Sequence, residues 1–271
     1  SAGIGKIFGI TPNFSVNLIV LLIIAVVFSA TSFVGIDRGM KRLSDLTLYG
    51  AILFIAFIFI TGPTQFIMKN FTYSLGKMIT HYADMSLYTD PIRNSGFPEL
   101  NTIFLFTLAL NYAALMGIFI TKISKGRTIR EMILTCLGGI SFGTWVMFGI
   151  NGSFTLHREL TGTISLTAAE TPQVGLFECF GTLPGGNLIV PIVFTLVTIG
   201  FLATSLDSAS FTLAASATKQ LDENGNPNAK FRLMWCVALA LVPMSIMFAK
   251  APFTAIKTIC IVLSVPFLFV I

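Results

Sequence analysis

Charged side chains are scarce in this sequence. Asp, Glu, Lys and Arg make up 11% of its 271 residues, whereas soluble globular proteins carry about 25%. Because so few charges cannot cover a water-facing surface, soluble and disordered classes are excluded. The four cysteines have neither the density of a disulfide-rich secreted domain nor metal-ligand spacing, and we expect them to act as small buried hydrophobes: Cys136, Cys179, Cys236 and Cys260.

Hydrophobic residues make up 54% of the chain and gather in continuous runs, which favours membrane helices over the alternating strands of a barrel. We predict an all-α integral membrane protein with a single transmembrane domain over residues 1–271. Both ends fall inside apolar runs, so we expect an internal portion of a larger transporter or channel. The predicted full spans are 15–36, 46–66, 100–121, 132–155, 187–217 and 233–249, with partial spans at 1–10 and 252–271 and surface helices near 68–88 and 173–183.

Basic residues indicate the orientation of these spans. One set of alternate loops holds ten Lys and Arg and the opposite set holds six. Because Lys and Arg concentrate in cytoplasmic loops, we place the loops 37–45, 122–131 and 218–232 in the cytoplasm of a cell that carries this protein in its plasma or inner membrane. The formal net charge of +5 therefore concerns topology, and we expect no nucleic-acid partner.

A polar cluster around Asp207 interrupts the span 187–217, in the stretch FLATSLDSAS. Ionisable groups at that depth usually mark an ion path, a substrate site or a buried pair. Hydroxyl and carbonyl oxygens at Thr204 and Ser205 suit an alkali cation. The alternative is that these hydroxyls bond their own helix while Asp207 pairs with a basic group. The residues alone leave both interpretations open.

A second polar stretch lies in the span 100–121, where Thr107, Asn111 and Tyr112 interrupt an apolar helix. Such a helix contributes to a central binding site or packs within a bundle. The basic loop SKGRTIREM that follows this span serves as a positive-inside signal or binds anionic lipid.

Several strings taken together resemble one transporter family. The strings occur in this order along the chain: GIDRGMKRLSD, a span ending in GPT, YTDPI with GFP, ISKGRTIRE, and LPGG followed by ATSLDSAS. In this order they resemble the betaine/carnitine/choline transporter (BCCT) family, over essentially the whole chain. The resemblance implies the LeuT-like fold of inverted five-helix repeats, of which this chain would be the C-terminal portion.

The resemblance also implies roles for residues in two spans. In sodium-coupled members a Thr-Ser pair supplies cation oxygens, and here that pair is Thr204 and Ser205. Sodium-independent exchangers place an arginine, whose guanidinium substitutes for the cation, at the position of Thr47. Sodium coupling is therefore the expectation.

The substrate segment departs from the family pattern. Typical members surround a quaternary ammonium with tryptophans by cation–π attraction, but this chain has Phe106, Leu108, Ala109 and Tyr112 at those positions. An amine that bears hydrogens and bonds acceptors such as Asn111 then becomes the expected ligand, and we favour glycine or a similar small amino acid. Aromatic residues from a segment outside this sequence would keep glycine betaine open.

We therefore expect a secondary active transporter, sodium-coupled and selective for a small zwitterionic amine. The alternatives are sodium-coupled glycine betaine uptake, sodium-independent betaine or carnitine exchange, and a non-transporting channel or osmosensor. An enzyme is not expected, because no set of His, Cys and Asp residues converges within the predicted spans. We expect no cofactor beyond sodium as coupling ion, and we expect membrane lipid and a homo-oligomer, a trimer by resemblance, as partners.

Overall fold

The computed structural model describes residues 2–9, 13–34, 39–166, 171–219, 221–222, 226–250 and 253–270. Parts of the predicted inner loops 37–45 and 218–232, and the extreme residues of both predicted partial spans, lie outside these ranges. Every regular element among the described residues is helical. In chain order the helices are α1 (Ala2–Phe8), α2 (Phe14–Val34), α3 (Lys41–Thr61), α4 (Thr64–Thr80), α5 (Tyr82–Ser86), a π-helical segment (Pro98–Ile103), α6 (Phe104–Ile123), α7 (Ile129–Leu160), α8 (Pro172–Gly181), α9 (Ile189–Ala217), α10 (Ala229–Phe248) and α11 (Phe253–Val270).

Five of the described helices are long and apolar enough to cross a bilayer: α2, α3, α7, α9 and α10. A sixth span results if Pro98–Ala113 and Leu115–Ile123, which lie at 53° to each other, count as one bent helix. Helices satisfy every internal backbone group within the chain, which a hydrocarbon environment requires. The chain is thus an all-helical, multi-pass membrane protein.

Helix ends differ from the predicted spans where polar residues cap or break a helix. α7 begins at Ile129 because Thr128 and Glu131 form a capping box, in which each side chain accepts from the other residue's backbone N–H. The predicted surface helix near 68–88 is two helices, α4 and α5, interrupted at His81.

The chain divides into two compact units. Unit 1 comprises Ser1–Leu75 and Arg127–Asp207. Its core is rich in phenylalanine, and the Phe180 ring lies at its centre, with ring centroids 4.9 Å from Phe194 and 5.4 Å from Phe54. The buried core residues are Phe54, Ile58, Ile67, Phe154, Phe177, Cys179, Phe180, Leu183 and Val190.

Helix α8 contributes one face to this core. Phe177, Cys179 and Phe180 are buried, whereas Gln173 and Glu178 are exposed. The predicted surface helix near 173–183 is therefore a surface element on one side only, because its apolar side fills the space beside α3 and α7.

Unit 2 comprises Gly76–Gly126 and Ser208–Ile271. Its principal helix pair is α6 and α11. The last part of α9 packs in the same unit, where the ring of Phe211 meets that of Phe119 edge-on at 6.4 Å. A single domain over 1–271 stays a prediction.

Candidate functional site

Asp207 lies at the end of unit 1 on α9 and is completely buried. The Thr31 hydroxyl on α2 donates to Asp207 Oδ2 at 2.6 Å. Burying a carboxylate is costly unless hydrogen-bond donors meet it. Asp207 therefore connects α9 to α2 at a position 176 residues away in sequence. A basic partner for Asp207 stays a prediction.

Thr204 and Ser205 share one hydrogen-bond acceptor. Their hydroxyls donate to the Phe201 carbonyl oxygen at 2.9 Å and 3.0 Å. This is the helix-internal bonding that the sequence left open as an alternative. A hydroxyl that donates still keeps its oxygen lone pairs. Since Thr204 is half-buried and Ser205 exposed, both interpretations of the pair remain compatible with this geometry.

Thr47 lies on α3 in the same unit and is buried. Its hydroxyl donates to the Leu43 carbonyl at 2.7 Å, and its side chain contacts Gly200 of α9 so closely that a Cβ on Gly200 would overlap it. Gly200 precedes Thr204 by four residues, which is about one helical turn. Thr47 of α3 therefore lies beside α9 about one helical turn before the Thr204–Ser205 pair.

A cavity of about 670 Å³ lies in unit 1 between α1, α2, α8 and α9. This volume falls within the range of about 300–1,000 Å³ typical of ligand pockets. Its lining is mostly apolar and includes the rings of Phe177 and Phe194 and the polar side chains of Asn17 and Thr198. None of the predicted site residues lines this cavity. The cavity was not predicted from the sequence.

The predicted substrate residues belong to α6 and unit 2. Phe106 is 60% exposed, and Leu108, Ala109 and Tyr112 are also exposed. At about 100° per residue these four positions occupy one side of α6. That side is uncovered in the described chain.

Asn111 lies on the opposite side of α6. Its Nδ2 donates to the Cys260 carbonyl of α11 at 2.8 Å, and its Oδ1 is buried with no hydrogen-bond partner among the described residues. Thr107, one turn earlier, is buried and donates to the Phe104 carbonyl. Because residues four apart share a helix face, both side chains face α11. For Asn111 the structure favours helix packing, and substrate contact stays a prediction.

Lys257 lies inside α11, within the predicted partial span 252–271. Its Nζ donates to the Leu100 carbonyl at 3.0 Å and lies 4.7 Å from the centroid of the Phe104 ring. Sequence reasoning missed this contact. The available signal was one lysine inside an otherwise apolar run.

Asp90 organises the turn between α5 and the π-helical segment. Its carboxylate accepts hydrogen bonds from the Tyr88 hydroxyl at 2.9 Å and from the Ser95 backbone N–H at 3.0 Å, and also from the Ser95 hydroxyl. These bonds, those of Ser95 first, lower the pKa of the Asp90 carboxyl. The YTDPI string therefore forms a turn that the Asp90 carboxylate stabilises through these hydrogen bonds.

Comparison with protein families identifies the chain. A model of the betaine/carnitine/choline family transporters, BCCT, matches residues 1–271. The chain belongs to the BCCT family. The family is one of transporters and not of enzymes. The predicted resemblance is thereby confirmed.

Curated relatives of the BCCT chain carry several substrate names. A "Carnitine transporter" of Acinetobacter baumannii is 35% identical over 99% of the chain and 49% of its own length. The "Uncharacterized transporter YeaV" of Escherichia coli is 32% identical over 99% of the chain and 56% of its length. "Glycine betaine transporter 2" of Vibrio parahaemolyticus is 27% identical over the whole chain and 50% of its length. The chain spans about half the length of these relatives.

Proposed function

We propose that the protein containing this sequence couples the uptake of a small zwitterionic amine to sodium. Position 47 carries the proposal. By the family resemblance, sodium-independent exchangers have an arginine at this position, whereas this chain has the buried Thr47. The Thr47 side chain contacts Gly200 of α9, which lies about one helical turn before Thr204. With no guanidinium at this position, a dissolved cation is required to supply the charge.

Thr204 and Ser205 would hold this sodium ion. Hydroxyl oxygens are hard ligands of the kind alkali cations accept. Both hydroxyls donate to the Phe201 carbonyl, which brings the two hydroxyl oxygens to the same acceptor on α9.

For the substrate we propose glycine or a similar small amino acid. The exposed side of α6 offers two aromatic rings, Phe106 and Tyr112, alongside Leu108 and Ala109. Phenylalanine and tyrosine attract a trimethylammonium less strongly than tryptophan does. An amine with N–H groups instead donates hydrogen bonds to carbonyl oxygens.

Transport of a quaternary amine is the second candidate, because two relatives are named for carnitine and glycine betaine. Sodium-coupled uptake of glycine betaine and sodium-independent exchange are its two forms. Competition decides the substrate: unlabelled glycine, glycine betaine and carnitine are added separately to proteoliposomes taking up labelled glycine or labelled betaine.

The coupling test compares the whole protein with a Thr204→Ala/Ser205→Ala double variant in proteoliposomes. We expect uptake to require an inward sodium gradient, and we expect the double variant to need at least about tenfold more sodium for half-maximal uptake, since losing even an indirect ligand contact costs 10–100-fold in metal affinity. Thr212→Ala is the matched control, because the Thr212 hydroxyl also donates to a carbonyl of α9.

Two results would contradict sodium coupling. One is uptake that proceeds equally with sodium or potassium. The other is equal sodium dependence in the double variant, the Thr212→Ala control and the unchanged protein. Exchange in substrate-loaded vesicles without any ion gradient would favour the second candidate.

A further inference from the structure

The amino-terminal end of α6 has an unusual backbone. Residues Pro98–Ile103 form a π-helical segment that continues directly into α6 at Phe104. π-Helical turns are rare and occur frequently at functional sites. Such a turn contains more residues than an α-turn, so it changes the direction in which neighbouring side chains face. Whatever stabilises the segment therefore also sets the orientation of the start of α6.

Lys257 of α11 contacts both sides of this junction. Its ammonium donates to the carbonyl of Leu100, inside the π-helical segment, and lies against the ring of Phe104, the first residue of α6. The hydrogen bond is 3.0 Å long and the ammonium is 4.7 Å from the ring centroid. Both are ordinary distances for a hydrogen bond and for a cation–π contact. One side chain thus bridges the transition from π to α.

A second contact from α11 holds α6 further along. Asn111 donates to the carbonyl of Cys260, which follows Lys257 by three residues. Lys257 reaches back toward the start of α6 while Cys260 receives the bond from Asn111, so one stretch of α11 holds α6 at two levels. Between these levels lie Phe106 and Ala109, two of the exposed positions predicted to face the substrate.

We propose that Lys257 is a positioning residue for transport: it stabilises the π-helical segment and so fixes the direction in which the exposed side of α6 faces. This inference rests on the proposed function, because it takes that side as the substrate-binding side. The competing explanation is a lysine that extends along the helix to reach lipid headgroups and has no effect on α6. The two explanations differ in what happens to residues 98–105 when the ammonium is removed.

The first measurement is amide hydrogen exchange of residues 98–105 in the whole protein. Lys257→Met removes the charge and the donor but keeps an unbranched side chain, whereas Lys257→Arg keeps both. Lys250→Met is the matched control, since Lys250 is exposed in the turn before α11. We expect at least tenfold faster exchange in Lys257→Met, and unchanged exchange in the other two variants.

The second measurement is the concentration dependence of uptake. A misdirected substrate face weakens binding, so we expect KM to rise about tenfold in Lys257→Met with Vmax within about twofold, and to return to normal in Lys257→Arg. A role limited to folding would instead lower Vmax through loss of folded protein and leave KM unchanged.

The outcomes separate this proposal from the proposed function. Unchanged exchange at residues 98–105 in Lys257→Met overturns the proposal, as does faster exchange with an unchanged KM. If the unchanged protein transports neither glycine nor betaines, the proposed function fails, and the exchange measurement still decides whether Lys257 stabilises the π-helical segment. If Lys257→Met does not fold, Lys257→Arg with altered exchange or KM contradicts the proposal.

Discussion

The hydrogen bond between Thr31 and Asp207 offers the sharpest test of how unit 1 is held together. Thr31→Val removes the donor and preserves the shape of the side chain, and Asp207→Asn removes the charge and preserves the size. The two single variants and the double variant form a double-mutant cycle, which isolates the interaction between the two side chains. Asp207 is completely buried, so solvent does not screen the interaction.

The bond length sets the expected magnitude. At 2.6 Å the contact has the length of an O–H group donating to a charged carboxylate, about 2.5–2.7 Å. Hydrogen bonds to charged groups contribute about 1.5–3 kcal/mol, whereas interhelical polar contacts in membrane proteins average about 0.6 kcal/mol. We therefore expect a coupling energy of about 1.5–3 kcal/mol. That is at least about a tenfold change in the unfolding equilibrium constant, because 1.4 kcal/mol corresponds to tenfold.

Reversible unfolding in mixed micelles, followed by circular dichroism, measures the four free energies of unfolding. Thr198→Val combined with Asp207→Asn is the control cycle, because Thr198 lies nine residues away on α9 and bonds within its own helix. Its coupling energy is expected within about 0.5 kcal/mol of zero. A Thr31–Asp207 coupling energy at or below about 0.6 kcal/mol would refute a charge-assisted bond between α2 and α9.

Two further predictions concern the core and the turn before α6. Phe180→Ala should lower the free energy of unfolding by about 3–5 kcal/mol, because the buried Phe180 ring contacts several other rings. Phe269→Ala, at an 87% exposed position, should lower it by less than about 0.5 kcal/mol. Equal losses of thermal stability in the two variants would contradict this core. Because the pKa of Asp90 is lowered by folding, its contribution is present above the ordinary pKa of aspartate and is lost as pH falls through the lowered value. The difference in melting temperature between the unchanged protein and Asp90→Asn should accordingly vanish toward acid pH, and a difference that is constant with pH would contradict the assignment.

The proposed substrate and the names of the relatives point in different directions. Carnitine and glycine betaine carry a trimethylammonium group, which favours an aromatic enclosure. The described part of α6 offers Phe106 and Tyr112 on its exposed side and no tryptophan. If betaine competes better than glycine, the rings of Phe106 and Tyr112 do not exclude a trimethylammonium group. If glycine competes better, the loss of tryptophan explains the change in substrate.

The sequence was most informative where a single physical requirement dominates. A long apolar run must form a helix in a bilayer, because its backbone has no other hydrogen-bond partners there. The described helices from α2 to α10 accordingly include five candidate spans. The family was also readable from strings such as ISKGRTIRE and ATSLDSAS, and the match over residues 1–271 confirms it.

Packing partners were much harder to predict, and Asn111 shows why. In a soluble protein the apolar face of a helix is the packed face, but in a membrane the lipid-facing and protein-facing sides are both apolar. The sequence therefore could not tell that Asn111 contacts α11 while Phe106 is exposed.

By itself, the sequence determined that this protein is a helical, multi-pass membrane protein of the BCCT family, because composition, run length and motif order are local properties of the chain. Only the tertiary structure showed that Thr31 donates to Asp207, that Thr47 contacts α9 beside Gly200, and that Lys257 bridges the start of α6. These contacts join residues far apart in the chain. They depend on the rotation and spacing of packed helices, which hydrophobic pattern alone does not encode in a solvent as apolar as the helices themselves.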